Sequence, residues 1–143
     1  MTAPVSYSPV HAVQVGIYRR LTGDPVLMGM VVGVYDQVPE DKPKPYVRIG
    51  DHLSIPDNAH GRYGREITST IHVWTEAQGN MQGQSIAARI NELLDHRPYE
   101  LSELVDGSRI VSIRNEFDQA LADPDPKVRH HVLRFRIITE QEE

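Results

Sequence analysis

Alternation of apolar and polar residues in two segments is the feature that most restricts how this chain can fold. Residues 66–75 and 128–139 each place mainly apolar side chains at every second position over most of their length. The alternating apolar residues are Ile67, Ile71, Val73, Leu133, Phe135 and Ile137. Because successive side chains of a β-strand point to opposite faces, this pattern predicts two strands that bury one face and expose the other.

A turn sequence predicts which strands are neighbours. Asp123–Pro126 alternates Asp and Pro, two residue types that favour turns, immediately before the second alternating segment. We therefore predict a hairpin that joins a strand at 109–117 to the strand at 128–139. The residues expected to share one face of the 109–117 strand are Val111, Ile113 and Phe117. Short β-rich runs at 31–35 and 46–50 predict two further strands.

Two other segments have helical periodicity. The first covers residues 9–22, with Pro9 at the first helical position, where its missing N–H costs nothing. The second opens at Gly79 and ends near His96, because Pro98 disfavours helix at the residue before it. Their apolar stripes are Val10, Val13, Ile17 and Leu21, and Ile86, Ala87, Ile90, Leu93 and Leu94. These elements predict an α+β fold, an antiparallel β-sheet with two main helices packed on one face.

The length of 143 residues is typical of one domain. We expect a single domain over residues 1–143, with flexible tails at 1–8 and 140–143. The polar segment 51–64 contains Pro56, Gly61 and Gly64 and is too long for a tight hairpin. Its composition fits a mobile loop and a projecting β-arm equally well.

Composition narrows the function classes. The chain has no cysteine, which excludes disulfides and thiolate metal sites, and it carries a formal net charge of −5. Proteins that bind DNA phosphates usually carry more basic than acidic residues, so the negative net charge argues against nucleic-acid binding as the main function. No apolar run approaches the ~20 residues that span a bilayer, and the first residues lack a signal-peptide pattern, so we expect no membrane association.

No catalytic motif is present. There is no GxSxG elbow, phosphate-binding loop or GxGxxG fingerprint. His130 and His131 are adjacent in a predicted strand and therefore point to opposite faces, so they cannot clasp one metal ion. His52 and His60 lie in the 51–64 segment without the spacing of a metal site. We expect no enzyme activity, no cofactor, and no catalytic, cofactor-binding or metal-ligating residues.

A group of arginines has two possible interpretations. If the hairpin forms, Arg129, Arg134 and Arg136 lie near Arg109 and Arg114. They then form either a solvated, salt-bridged outer sheet face or a polar surface that pairs with acidic residues of a neighbouring subunit. The first interpretation is the more common one in proteins.

Several segments, taken in order, resemble a known family. They include Val34-Tyr35-Asp36 and Val38-Pro39, then the run Pro45–Gly50, Ile71–Thr75, the helix carrying Ile86-Ala87 and Ile90, and the run Arg129–Arg136 followed by Thr139-Glu140. The chain is similar over residues 9–140 to the small tail terminator, or tail completion, proteins of siphophages and gene transfer agents. The 51–64 segment matches no fixed motif of that family.

The resemblance implies a structural virion protein and no catalytic residues. Such a subunit assembles into a ring, typically a hexamer, that caps the head-proximal end of the tail tube and stops tube polymerisation. Its implied partners are further copies of itself, the tail tube protein and the neck proteins, with DNA passing through the lumen. We expect it in the virion, and in the host cytoplasm during assembly. Candidate interface residues are Tyr7, His52, Ile55, His60, Arg62, Tyr63, Trp74, Arg134 and Arg136.

Two alternatives remain open on the sequence alone. The chain fits another neck component, a head-closure or adaptor protein of the connector. It also fits, less well, a nucleic-acid-binding module that uses the Arg129–Arg136 strand. That module predicts salt-sensitive binding to duplex DNA, whereas the terminator predicts little binding at physiological salt.

Overall fold

A computed structural model of the chain describes residues 5–77, 79–101 and 108–141. Five strands, two long helices and two short helical turns follow one another along these residues. In chain order they are α1 (Val10–Thr22), α2 (Pro25–Met28), β1 (Val34–Tyr35), β2 (Tyr46–Pro56), β3 (Gly64–Glu76), α3 (Met81–Leu94), a 3₁₀ turn (Pro98–Leu101), β4 (Ser108–Ala122) and β5 (Val128–Gln141).

The five strands form one sheet in the order β1-β2-β3-β5-β4. Pairing is antiparallel between β2, β3, β5 and β4, as the sequence predicts. The prediction of a wholly antiparallel sheet is wrong for β1, which pairs parallel with β2 through Val34 and Tyr35. Residues 36–45 carry the chain back to the end where β1 began, so β2 starts in the same direction. The α+β class is confirmed.

The alternating segments are the two central strands of the sheet. β3 and β5 pair through thirteen consecutive residues, from Gly64 with Glu140 to Glu76 with Val128, without a register shift. The predicted apolar face of these strands is buried, at 0% exposure for each of its residues: Ile67, Ile71, Val73, Leu133, Phe135 and Ile137. Both helices cover this face, and one hydrophobic cluster contains residues from α1 through β5.

The hairpin of β4 and β5 forms as predicted, but the predicted face of β4 is wrong. A bulge between Ile110 and Ser112 inserts an extra residue, and a second one lies between Asn115 and Phe117. Each bulge shifts the alternation by one position. As a result Ile110 and Ile113 are buried, whereas Val111 and Phe117 are exposed.

An ion pair joins α3 to the corner between α1 and α2. Asp24 precedes α2 and accepts a hydrogen bond from the backbone N–H of Leu27 at 2.9 Å. The Arg89 guanidinium of α3 donates to both carboxylate oxygens of Asp24, at 2.7 and 2.8 Å. These Arg89 hydrogen bonds lower the pKa of Asp24 to about 2. This two-point pair in a half-buried position holds α3 against the corner between α1 and α2.

A close approach of α3 to the sheet depends on Gly83. A β-carbon at this position would overlap the imidazole ring of His131. The ring is buried, and neither of its nitrogens has a hydrogen-bond partner among the described residues. Burial lowers the pKa of His131. Glycine is unfavourable inside a helix by about 1 kcal/mol relative to alanine, so here it is explained by packing.

Most of the 51–64 segment is a β-arm, which is one of the two alternatives that its composition allows. Residues 51–56 and Gly64 belong to β2 and β3, which leaves 57–63 as the connecting loop, called here the tip loop. Glu140 and Gln141 complete β5, so the predicted tail at 140–143 is too long; residues 142–143 lie outside the described part. At the other end, the carbonyl of Val5 accepts a hydrogen bond from Gln141 at 2.6 Å, and residues 1–4 lie outside the described part.

None of the described helices has the length and apolar character needed to cross a membrane.

The core position of Ile90 gives a direct test of this packing. Ile90 is fully buried between α3 and the sheet, so Ile90→Ala is expected to lower the free energy of unfolding by about 2–5 kcal/mol. Met81→Ala on the exposed start of the same helix should change it by less than about 0.5 kcal/mol. Equilibrium unfolding in urea measures both values. Equal effects of the two substitutions would contradict the described packing of α3.

Candidate assembly surface on the outer face of the sheet

The sheet face opposite the helices, called here the outer face, combines charged, aromatic and hydroxyl side chains. It is formed by the alternate residues of β2–β5 that the helices do not cover. Cross-strand pairing places Arg48 beside His72, Tyr46 beside Trp74, and Thr68 beside Arg136. The side chains of the outer face are therefore available for contacts with other molecules, whereas the opposite face of the sheet is buried under the helices.

A row of four side chains crosses β2, β3 and β5 near one end of this face. The indole of Trp74 stacks on the His130 ring with centroids 3.8 Å apart and planes at 7°. His130 and His72 share a 2.8 Å hydrogen bond between their ring nitrogens, and the other nitrogen of His72 contacts the Asp51 carboxylate at 3.0 Å. Asp51 reaches this position because it lies at the bulge of β2 with a φ of 55°.

The row disfavours a charge on His130. Burial, and next the neighbouring His72, lower the pKa of His130 to about 4. The hydrogen bond between the two rings requires one donor and one acceptor nitrogen, so it is lost when both rings are fully protonated. The row lacks a nucleophilic hydroxyl or thiol among its members, and its geometry is that of a polar stack.

A band of ion pairs occupies the middle of the outer face. The Arg136 guanidinium lies 2.8 Å from the Glu66 carboxylate, and Arg134 lies 3.7 Å from Glu116. Arg134 also lies over the Phe117 ring, 5.9 Å from its centroid. Exposed pairs of this kind contribute little to stability, about 0–1 kcal/mol each. They do fix the positions of the charges that a neighbouring molecule would meet.

The predicted clustering of arginines is correct in part. Arg114 lies directly opposite Arg136, and Arg109 lies opposite Glu140 with a 2.9 Å ion pair. Arg129 is different, because it lies opposite the buried Thr75 and so belongs to the helix side of the sheet.

Three predicted interface residues lie together at the tip-loop end of the sheet. The Tyr7 N–H donates to the side chain of Gln141 at 3.0 Å, and the carbonyl of Tyr63 accepts from the Gln141 N–H at 2.9 Å. Arg62 lies 3.7 Å from Glu140. The residues before α1, the tip loop and the end of β5 therefore form one continuous surface.

The remaining candidates divide between the two sides. Ile55, Trp74, Arg134 and Arg136 lie on the outer face. His60 is exposed in the tip loop. His52 faces the helices instead, where its ring nitrogens contact Ser69 at 2.8 Å and Gln14 at 3.0 Å, and burial lowers its pKa. In residues 5–77, 79–101 and 108–141, no three His, Cys, Asp or Glu side chains are grouped so as to hold a metal ion.

Comparison with known proteins identifies the family. The model of the family described as "Tail completion protein gp17" matches residues 15–140. The chain belongs to this family. The tail completion protein gp17 of Bacillus phage SPP1 is 30% identical over 125 residues, covering 87% of this chain and 90% of that protein. The resemblance described from the sequence is confirmed.

Two solved structures are similar over nearly the whole chain. A chain in the virion of a native gene transfer agent particle has a TM-score of 0.84 and 27% identity, and the match covers 94% of this chain and 99% of that one. The structure of bacteriophage SPP1 gp17 has a TM-score of 0.61 and 28% identity, covering 89% and 88%. This tail completion protein is therefore a structural virion component, a class that is not enzymatic in general.

Sequence reasoning missed several outer-face residues of this tail completion protein. His130, Asp51 and Phe117 take part in the stack and the charged band, yet each depends on strand register or a bulge. Trp74 and His130 are 56 residues apart in sequence and meet only because β3 and β5 pair in one register. The sequence signal that could have found the stack is a ring-bearing side chain at an outward position of each alternating strand, namely Trp74 and His130.

Acid is expected to destabilise this tail completion protein, with His130 contributing to the effect. Its folded-state pKa of about 4 lies below the ordinary value of 6.5, so the unfolded chain binds this proton more readily. The stabilisation is complete above about pH 6.5 and is lost as the pH falls toward about 4, by at most about 1.4 kcal/mol per pH unit for one group. The His130→Phe variant keeps an aromatic ring on Trp74 but has no titrating group at this position. Its free energy of unfolding in urea should therefore fall less steeply as the pH decreases from about 6.5 to about 4. An unchanged pH dependence would contradict the assignment.

Proposed function

We propose that this protein is the tail terminator of a long-tailed phage or gene transfer agent. In this role it caps the head-proximal end of the tail tube, stops tube polymerisation and joins the tail to the neck. The whole-chain similarity to a chain of a gene transfer agent virion, at a TM-score of 0.84, is the observation that carries the proposal. Membership of the tail completion family supports it independently.

The proposed working unit is a homomeric ring, a hexamer, with DNA passing through its lumen. Its partners are the tail tube protein on one side and connector proteins on the other. A cap of this kind acts by steric and interfacial means, so it needs a rigid subunit with surfaces that pair with neighbours. The fully covered core on one face and the ordered charged band on the other supply such a subunit.

The charge distribution fits passage of DNA without retention. The chain carries a net charge of −5. On the outer face, Arg134 and Arg136 lie beside the carboxylates of Glu116 and Glu66. Arginines paired in this way offer little to phosphates, whereas DNA-binding faces gain affinity from unpaired cations that release counterions. Binding of duplex DNA at physiological salt should therefore be weak.

Tail length tests the terminator role. Tube protein assembled with its other tail components but without this protein should give tubes of excess length, and adding the purified protein should restore a defined length. Electron microscopy measures the length distribution and the end that is capped. A head-closure or adaptor protein would instead give tails of normal length that fail to join heads, and that result would overturn the proposal.

The tip loop is expected to contact the tube or the neck, since it holds His60, Arg62 and Tyr63 at the end of the sheet. The backbone N–H of Asp57 donates to the carbonyl of Gly64 at 2.9 Å, so replacing residues 58–63 with Asn-Gly closes the hairpin by a two-residue turn. The variant should unfold in urea much as the wild type does, and it should fail to restore tail length. Normal tails from a folded variant would show that this loop makes no needed contact.

A further inference from the structure

We propose that residues 5–8 of one copy of the chain, called here segment 5–8, pair as an added strand with β4 of a second copy. The strand is added at residues 118–122 of β4, called here edge 118–122. The pairing is antiparallel and uses backbone hydrogen bonds that neither copy makes alone. This inference rests on the proposed ring and specifies one contact that closes it.

The far edge of β4 is covered in its middle part. The His96 N–H donates to the carbonyl of Ile113 at 2.9 Å, and the Asn115 N–H donates to the side chain of Asp95 at 2.8 Å. The backbone groups of Ile113 and Asn115 therefore point away from β5. Residues that pair across an antiparallel ladder alternate with residues whose backbone groups point away from it.

Beyond Asn115 the same edge is uncovered. The register with β5 shifts by one residue at the bulge between Asn115 and Phe117, so the outward set changes from odd-numbered to even-numbered residues. The outward residues past the bulge are Asp118, Ala120 and Ala122, and all three are exposed. Their backbone N–H and C=O groups form no hydrogen bond with any other described residue. Such groups on a strand edge are templates for pairing with another chain.

There is space for an added strand beside this edge. A cavity of about 230 Å³ lies on the helix side, between α3 and the end of β4. Its lining includes Gln84 and Ala88 of α3 and Asp118 and Ala120 of β4. The short side chains of Ala88 and Ala120 leave room there for the side chains of an incoming strand.

Segment 5–8 is held in its own subunit with one strand edge free. The Tyr7 N–H donates to the side-chain oxygen of Gln141 at 3.0 Å, and the side-chain N–H of Gln141 donates to the Val5 carbonyl at 2.6 Å. These two backbone groups lie on the same side of the chain, as they do in a strand. The N–H and C=O of Ser6 therefore point the other way, and Ser6 is exposed. Because Gln141 already orders the segment, less conformational freedom is lost on docking.

Pairing Ser6 with Ala120 joins the two free edges in one register. Both residues turn their backbone N–H and C=O groups toward the partner, which is the requirement for a hydrogen-bonded pair. Ala120 lies opposite the buried His131, so it belongs to the helix side of the sheet. The short side chain of Ser6 then enters the cavity, and Ser8 lies opposite Asp118, where its hydroxyl reaches the carboxylate.

The same register brings exposed apolar side chains together on the outer face. Val5 and Tyr7 are 59% and 46% exposed, and Phe117 is 40% exposed. Tyr7 of one copy lies opposite Gln119 and diagonal to Phe117 of the other, and Val5 lies opposite Leu121. Neighbours in these cross-strand positions are close enough for their side chains to pack.

The two surfaces are too far apart to meet within one subunit. Gln141, which holds segment 5–8, and His131, which pairs with Ala120, are separated by ten residues of β5, about 33 Å along the strand. Each copy therefore offers segment 5–8 to one neighbour and edge 118–122 to the other. This is the head-to-tail arrangement that closes into rings.

Disulfide cross-linking tests this contact directly, because the chain has no cysteine of its own. Opposite residues of a hydrogen-bonded pair have Cα atoms about 5.5 Å apart, within the range of a disulfide. Ser6→Cys/Ala120→Cys should therefore form interchain disulfides in protein bound to tail tubes, giving a ladder of covalent oligomers on a non-reducing gel. A mixture of the two single variants should give dimers only. Ser6→Cys/Ser85→Cys, with its second cysteine at an exposed position of α3, is the matched control and should give no ladder.

Proline substitutions separate assembly from folding. Ala120→Pro removes an N–H that points away from β5, and Ser6→Pro removes one that points away from Gln141. Each subunit should therefore keep its own hydrogen bonds and unfold in urea much as the wild type does. Each variant loses a donor at the proposed contact and leaves a carbonyl of the partner unpaired, so the protein concentration needed to cap tubes should rise about tenfold or more. Ser6→Ala and Ala120→Ser keep the N–H groups and should cap tubes at the wild-type concentration.

The outcomes distinguish the contact from the proposed function. If Ser6→Cys/Ala120→Cys caps tubes without cross-linking, or if both proline variants cap at the wild-type concentration, the contact is overturned and the terminator role stands. If the wild type never caps tubes but the double-cysteine variant forms the ladder in concentrated solution, the contact stands and the terminator role is overturned. Absence of both capping and the ladder overturns both. Homodimers of Ser6→Cys alone in place of the ladder overturn the head-to-tail arrangement.

Discussion

The pairing of β3 with β5 is the constraint on which the rest of this structure depends. Thirteen residue pairs without a bulge keep the alternation of both strands in phase from Gly64 to Glu76. A slip of one residue would exchange the two faces and expose the apolar side chains that α1 and α3 cover. The same pairing that builds the core therefore also builds the outer face, including the contact of Trp74 with His130 and the positions of Arg134 and Arg136.

Side chains on the two faces of the sheet have different roles. On the helix side, Asp24 with Arg89 and Gly83 with His131 fix α3 against α1 and the sheet. On the outer side, the charged band adds little stability to the subunit, because an exposed ion pair is only slightly more favourable than the same two charges separately hydrated. A subunit whose hydrophobic core lies on one face of the sheet can use the other face for contacts with neighbours. That division suits a structural component of a virion.

The sequence predicts the central strands, the main helices and the final hairpin because each has a complete periodic pattern. It does not predict the bulges in β2 and β4, since a bulge adds one residue without a distinctive signature. For that reason Phe117 was expected on the face of Ile113 and lies on the other. The parallel pairing of β1 was also missed, because a two-residue strand carries no period. The family was recognisable from the order of short segments, whereas His130 and Asp51 become visible only when register and bulge are known.

The proposed ring is the central claim, and the native mass of the purified protein tests it most directly. Mass photometry and light scattering over a wide range of concentration should show a closed species of about 97 kDa, six times the chain mass of 16.2 kDa. A dimer whose mass does not change with concentration would contradict the proposed ring, because an isologous dimer is closed and leaves no matching surface for further subunits.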